Sequence, residues 1–170
     1  MIEYTRVDGC NVVCLEVPGR IEYRDMALRT VSASCKLVIP KARARGARYS
    51  EFTSHIVSAV GEAYNNIVLH GYAGREPGSI QIRIENCREW MRVMIKDTGI
   101  SFDPAQAKPP DLEALPESGL GIYIMRSFVD EVRYVPGSGG SPNILTLLKR
   151  LDEFRENGIY GSRRREPKAG

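Results

Sequence analysis

The most regular hydrophobic pattern in the chain lies in residues 50–72. Apolar side chains recur there at every third or fourth position, and at about 100° per residue this spacing forms one stripe along a helix. The stripe consists of Phe52, Ile56, Ala59, Ala63 and Ile67. We therefore expect a central helix that packs this stripe against the core, and Ser50 followed by Thr53 predicts a cap at its start.

The other patterns predict five strands and two more helices. β-Branched or alternating runs indicate strands in residues 11–17, 80–85, 90–96, 130–135 and 143–151. Helical spacing is present in residues 119–129 and in residues 21–39, where the apolar positions are Ile21, Met26, Leu28, Val31, Cys35 and Val38. This order of elements predicts an α+β fold, a two-layer α/β sandwich with the helices on one face of a mixed sheet.

Two segments lack any regular pattern. Residues 101–118 are polar and proline-rich, and a loop of that length between two elements is typical of a lid over a binding site. Residues 153–170 are charged and contain glycine and proline, which predicts a flexible tail. We therefore expect residues 1–152 to form a single domain.

Composition and charge narrow the class of partner. The chain has 170 residues and a formal net charge of +3, which is ordinary for a soluble globular domain. Its basic residues concentrate in residues 41–48 and 163–165, without interleaved aromatic side chains. We expect both clusters to be solvated, and we expect no direct binding of nucleic acid.

The cysteines and the first residues of the chain indicate the cellular compartment. Cys10, Cys14, Cys35 and Cys87 form no CxxC pair and lie in apolar or strand-like segments, which favours reduced, buried thiols over a disulfide framework or a zinc site. The opening residues, MIEYTRVDG, lack the features of a secretion signal, and no apolar run reaches membrane-spanning length. Together these features predict a cytoplasmic protein with no membrane association.

Glu62 and Asn66 stand one helical turn apart and share an edge of the central helix. A carboxylate can take a proton from a nucleophile, and an amide oxygen can bind a hard divalent cation. Taken alone, the pair also matches the polar edge of an ordinary amphipathic helix.

Two glycine-containing motifs follow along the chain. DTGISFDP begins with Asp97 at the end of a strand, where a carboxylate can accept a hydrogen bond from an exocyclic amine and Gly99 allows a flat ring to approach. ESGLGIYIM places Gly119 and Gly121 at the start of a helix, where free N–H groups and the helix dipole favour phosphates. Each motif has a simpler interpretation, a tight turn for the first and a flexible helix entry for the second.

In this order, the three motifs resemble those of the GHKL, or Bergerat-fold, ATPases. EAYNNIVLHGY corresponds to the N box, DTGISFDP to the first glycine box and ESGLGIYIMRSFVDEV to the second. The compact size, the NxxxHGY ending and the MRSFVDEV segment most resemble the anti-sigma factor serine kinases, which phosphorylate anti-sigma-factor antagonists. The resemblance covers residues 21–151.

The resemblance implies ATP and Mg²⁺ as cofactors and a role for each matching residue. Glu62 would be the general base, and Asn66 would be the magnesium ligand. Asp97 would bind the adenine amine beside Gly99, and Thr146 matches a threonine that these proteins place near adenine. The phosphates would be held by Ser118, Gly119, Leu120 and Gly121.

The resemblance also implies partners, namely an antagonist protein as substrate, a sigma factor that is bound and held, and a second copy in a homodimer. Some relatives carry an arginine in the lid, whereas Lys108 is the only cation in this one. Arg126 or His70 could contact the phosphates in place of that arginine. Each also suits another role: Arg126 can face solvent or a partner, and His70 can be a histidine whose hydrogen bonds are satisfied at the helix end.

Two other functions stay open from the sequence. A nucleotide-gated module can sequester a partner without catalysis. The lack of an arginine in the predicted lid favours this interpretation. The ATP-binding half of a histidine kinase is less favoured, because no long dimerisation helix with a phosphoacceptor histidine precedes Ser50. The only histidines, His55 and His70, lie in the predicted central helix.

Overall fold

Pairs of strands separated by helices make up residues 1–38, 47–101 and 120–151, which the computed structural model describes. The elements are β1 (Ile2–Val7), β2 (Cys10–Pro18), a 3₁₀ turn (Ile21–Tyr23), α1 (Arg24–Val38), α2 (Ala47–Asn66), a π-helical turn (Ile67–Gly71), β3 (Ser79–Asn86), β4 (Trp90–Asp97), α3 (Leu120–Phe128), β5 (Glu131–Val135) and β6 (Asn143–Arg150). Within these residues no helix is long and apolar enough to cross a membrane. The predicted lid beyond Ser101, most of the first basic cluster and the predicted tail lie outside the described residues.

The six strands form one sheet in the order β1-β2-β3-β4-β6-β5, and every neighbouring pair is antiparallel. The predicted α+β architecture is confirmed, but the expectation of a mixed sheet is wrong. Two helices separate β2 from β3. They return the chain to the end of the sheet at which β2 finishes, so β3 runs in the opposite direction. β4 and β5 run in the same direction but are not neighbours, because β6 lies between them.

The helices pack on one face of this sheet. α1 lies over β2 and β3, α2 reaches β6, and α3 packs against α2. The predicted stripe of α2 is buried along its whole length: Phe52, Ile56, Ala59, Ala63 and Ile67. The central-helix prediction is therefore confirmed, and Glu62 and Asn66 lie half-buried at the margin of the core.

Three local expectations differ from the structure. The buried stripe of α1 is Ala27, Val31, Ser34 and Cys35, whereas Ile21 and Met26 are exposed. Ser50 does not cap α2, because the helix is already formed at Ala47. No sequence pattern predicts β1, because every residue of this edge strand is exposed and the strand needs no apolar face.

Cys10 and Cys87 form a disulfide bond, so the expectation of reduced thiols is wrong for this pair. Asn11 lies opposite Asn86 in the β2–β3 ladder, and this register brings the flanking cysteines to a Cα–Cα distance of 4.3 Å. The pairing joins positions 77 residues apart and therefore depends on the sheet. Cys14 and Cys35 are free thiols.

Candidate functional site

Glu62 and Asn66 lie near the end of α2, where the helix changes its hydrogen-bonding pattern. The helix continues into a π-helical turn, in which the N–H of Tyr72 donates to the carbonyl of Ile67 at 3.0 Å. Such turns are frequent at functional sites. Both side chains are half-buried, so their polar groups lie at the core margin and remain accessible.

The start of α3 packs directly against this polar edge. A Cβ added to Gly121 would lie 2.8 Å from Glu62 Oε2 and 3.7 Å from Asn66 Nδ2. The missing side chain at Gly121 therefore allows the first turn of α3 to approach the carboxylate. Leu120, the first residue of α3, is exposed, whereas Ser118 and Gly119 lie outside the described residues.

Asp97 ends β4 and is buried although it carries a carboxylate. Its Oδ1 accepts a hydrogen bond from the N–H of Gly99 at 2.8 Å and another from the side-chain amide of Asn143 at 2.9 Å. Among the described residues, none donates to Oδ2. One oxygen is thus held by the protein, and the other can accept a hydrogen bond from a ligand.

Gly99 packs tightly against the π-helical turn. A Cβ at this position would lie 2.7 Å from the carbonyl oxygen of Gly71 and 3.0 Å from Asp97 Oδ1. The N–H of Ile100 donates to the same Gly71 carbonyl at 2.7 Å. The glycine therefore lets the DTG segment bind the end of α2, and this contact joins two of the predicted motifs.

On β6, the residue next to Asp97 is Asn143 and not Thr146. The β4–β6 register places Asn143 opposite Asp97, and alternation along the strand turns Thr146 to the other face of the sheet. Leu145, which shares the face of Asn143, lines the cleft described below. Sequence reasoning missed Asn143, whose only signal was a polar residue at the start of an otherwise apolar strand.

Asn66 and Asp97 line one cleft between α2, α3 and the sheet. Its remaining walls are formed by Ala63, Ile67, Gly71, Ile100, Met125, Tyr134 and Leu145. Glu62 adjoins the cleft, because the Cβ position of Gly121 lies near both Glu62 Oε2 and Asn66 Nδ2. The cavity volume is about 30 Å³, which is enough room for a water molecule among these side chains.

The donor set of the cleft fits Mg²⁺ only together with a phosphate ligand. No group of three or more histidine, cysteine, aspartate or glutamate side chains in the described residues can hold a metal ion. Asn66 supplies one amide oxygen, and Glu62 lies one turn away. Mg²⁺ commonly binds through few protein oxygens, with waters and substrate phosphates as its other ligands.

Of the cations considered for phosphate contact, Arg126 and His70 lie in the described residues, and both are exposed. Arg126 is exposed in the last turn of α3, about 7.5 Å along the axis from Gly121 at 1.5 Å per residue. His70 is exposed in the π-helical turn. Lys108 lies outside the described residues.

A family model described as the histidine kinase-like ATPase domain matches residues 27–149. The serine-protein kinase RsbW of Staphylococcus aureus (strain JH9) is 31% identical over 153 residues, which cover 85% of this chain and 91% of the relative. RsbW of Bacillus pumilus is 29% identical over 151 residues, or 82% and 88% of the two chains. The chain therefore belongs to the histidine kinase-like ATPase family and, within it, groups with proteins named RsbW.

The chain is also similar to a third curated protein and to two solved structures. The anti-sigma F factor of Clostridium novyi is 33% identical over 90 residues, which cover 49% of this chain and 61% of the relative. The RsbU and RsbW domains of a Mycobacterium tuberculosis protein align with a TM-score of 0.47 and 22% identity, over 81% of this chain and 32% of that one. A blue-light-activated histidine kinase of Erythrobacter litoralis aligns with a TM-score of 0.46 and 17% identity, over 82% and 66%.

Proposed function

We propose that this protein is a magnesium-dependent serine kinase that phosphorylates an anti-sigma-factor antagonist and sequesters a sigma factor. The observation that supports this most is the convergence of Asn66 and Asp97 on one cleft, with Glu62 and Gly121 in contact at its edge. Relatives at about 30% identity over most of the chain carry the name serine-protein kinase. As proposed, the protein acts in the cytoplasm as a homodimer.

In this proposal, the two ends of the cleft bind the two ends of ATP. Asp97 accepts a hydrogen bond from the adenine amine, and the N-terminus of α3 faces the phosphates with its free N–H groups. Glu62 orients the attacking serine hydroxyl and takes its proton. The amide oxygen of Asn66 is a ligand for Mg²⁺, which neutralises charge on the transferring phosphoryl group when it is bound.

The test is phosphotransfer to an antagonist protein in the presence of ATP and Mg²⁺. We expect phosphoserine from wild type and a loss of at least a hundredfold in rate for Glu62→Gln, because general-base catalysis contributes roughly 10² to 10⁴. Glu51→Gln is the matched control, since Glu51 is an exposed carboxylate at the other end of α2. No phosphoserine from wild type, or equal rates for wild type and Glu62→Gln, would rule out the kinase.

The second candidate is a nucleotide-gated binding module without phosphotransfer. It is favoured by the predicted lid, which lacks arginine and offers Lys108 as its only cation. In that case ATP tightens the binding of a partner protein, while phosphoserine stays at background for wild type and for Glu62→Gln alike. Binding titrations with and without ATP therefore separate the two functions.

A further inference from the structure

Asn143 is buried, and both ends of its side-chain amide are paired. Nδ2 donates to Asp97 Oδ1 at 2.9 Å and to the carbonyl of Gly99 at 3.0 Å. Oδ1 accepts from the N–H of Gly137 at 2.8 Å and from the hydroxyl of Ser101 at 2.6 Å. Because a backbone N–H can only meet an acceptor, Gly137 fixes the amide in one orientation, with its nitrogen on Asp97.

This orientation determines which oxygen of Asp97 is available to a ligand. Asn143 and the N–H of Gly99 both donate to Oδ1, so Oδ2 is the oxygen without a donor among the described residues. All the bonds that Asn143 makes are internal, and it is absent from the residues that line the cleft. Any effect of Asn143 on a base in the cleft must therefore pass through the groups that it holds, Asp97 and the backbone of Gly99.

We propose that Asn143 is a positioning residue for adenine recognition. It holds the Asp97 carboxylate so that Oδ2 accepts the 6-amino group of the base, and Ser101 and Gly137 in turn hold Asn143. The inference rests on the proposed function, since it assumes that ATP binds in this cleft. It assigns the second residue of the adenine site to Asn143, in place of the expected Thr146.

The test compares dissociation constants for ATP and for purine riboside triphosphate, which lacks only the 6-amino group. The ratio isolates the contribution of the amine, because the sugar and phosphate contacts cancel. We expect wild type to prefer ATP by roughly tenfold or more, the usual effect of a hydrogen bond to a charged group. Asp97→Ala should bring the ratio to about one.

Asn143→Leu keeps a similar volume and removes the amide. We expect its ratio to fall at least threefold, through weaker ATP binding with little change for the purine analogue. A purely structural role would weaken both nucleotides equally and leave the ratio unchanged. Ser101→Ala should lower the ratio less, and Thr146→Val, on the other face of the sheet, should leave it at the wild-type value.

Each outcome decides a separate question. An unchanged ratio in folded Asn143→Leu overturns the positioning role, and where that variant does not fold, an unchanged ratio in Ser101→Ala does so. A wild type that prefers ATP and keeps this preference in those variants refutes only the role of Asn143. A wild type that binds neither nucleotide refutes the proposed function, and the role of Asn143 with it.

Discussion

Gly121 lies where helix stability and the geometry of the site favour different residues. Alanine is a better helix former than glycine by up to about 1 kcal/mol, but a Cβ here would meet Glu62 Oε2 at 2.8 Å. The atom it meets is the end of a flexible side chain, so the fold can adjust while the carboxylate is displaced. We expect Gly121→Ala to keep or raise the melting temperature and to lower phosphotransfer roughly tenfold or more.

Thermal unfolding and single-turnover phosphotransfer on the same preparation check this prediction. Gly74→Ala is a useful comparison, since Gly74 has φ of 70° and nothing near its Cβ position, so the change strains the backbone away from the cleft. That variant should lose stability and retain activity. Equal activity of Gly121→Ala and wild type would show that the displaced carboxylate has no part in the reaction.

Local spacing predicted some residues of the candidate site and missed others. Glu62 and Asn66 share a helix, so their separation by one turn already places them side by side. Asn143 reaches Asp97 only through the register between β4 and β6, two strands that are far apart in the sequence. A residue's face on a strand reverses with a shift of one position, so the sequence of β6 alone does not show that Asn143 shares a face with Asp97 and Thr146 does not.

At the level of elements, Glu85 joins β3 and β4 on the sheet face away from the helices. It accepts hydrogen bonds from Arg83 Nε at 2.8 Å and Arg92 Nε at 2.7 Å, and its side chain is largely buried. Burial alone would raise the pKa of Glu85, but the two guanidinium groups outweigh it and hold that pKa below its usual value. The carboxylate therefore stabilises the fold at neutral pH.

Because the pKa of Glu85 is lower in the folded state, this stabilisation is fully present at pH values above the ordinary glutamate pKa. It is lost as the pH falls from about 4.5 through the lower, folded-state value. We expect Glu85→Gln to lose about 1–2 kcal/mol in free energy of unfolding at pH 7, and this difference should shrink as the pH falls below about 4.5 and through the lower folded-state pKa. Urea titrations over this range test it, with the exposed Glu89→Gln as control. A difference that persists unchanged at low pH would contradict the role of the charge.

Most elements were predictable because each has its own periodic pattern, but their arrangement was not. The hairpin of β3 and β4 was predicted within one residue of its observed ends, since its strands alternate cleanly and a short turn joins them. The position of β6 between β4 and β5 has no local signal. The edge strand β1 has none either, because it buries no residue.

In the whole molecule, five separate segments contribute residues to one cleft: α2 with its π-helical turn, the end of β4 with Ile100, α3, β5 and β6. The antiparallel sheet brings the last residue of β4 opposite the first residue of β6. The contact between Gly71 and Gly99 then ties this end of the sheet to α2. Loss of sheet register should therefore impair both ends of the site together.

The Cys10–Cys87 disulfide constrains the same sheet at the far ends of β2 and β3. It closes a loop with a sequence separation of 77 residues, and a cross-link of that span stabilises a fold by roughly 2–4 kcal/mol. We expect reductant, or Cys87→Ser, to lower the free energy of unfolding by that amount. Urea titrations with and without reductant measure it, and Cys14→Ser should have little effect.

Thiol titration gives an independent check on the same bond. The half-buried Cys14 should react first, whereas Cys35 should stay protected, because burial removes it from solvent and raises its pKa to about 11. Unfolding without reductant should expose two thiols, and reductant should raise the count to four. A count of four thiols without reductant would instead support the prediction from the sequence that all four cysteines are reduced. In a reducing cytoplasm such bonds are usually transient, so the count from freshly lysed cells also tests whether the bond persists there.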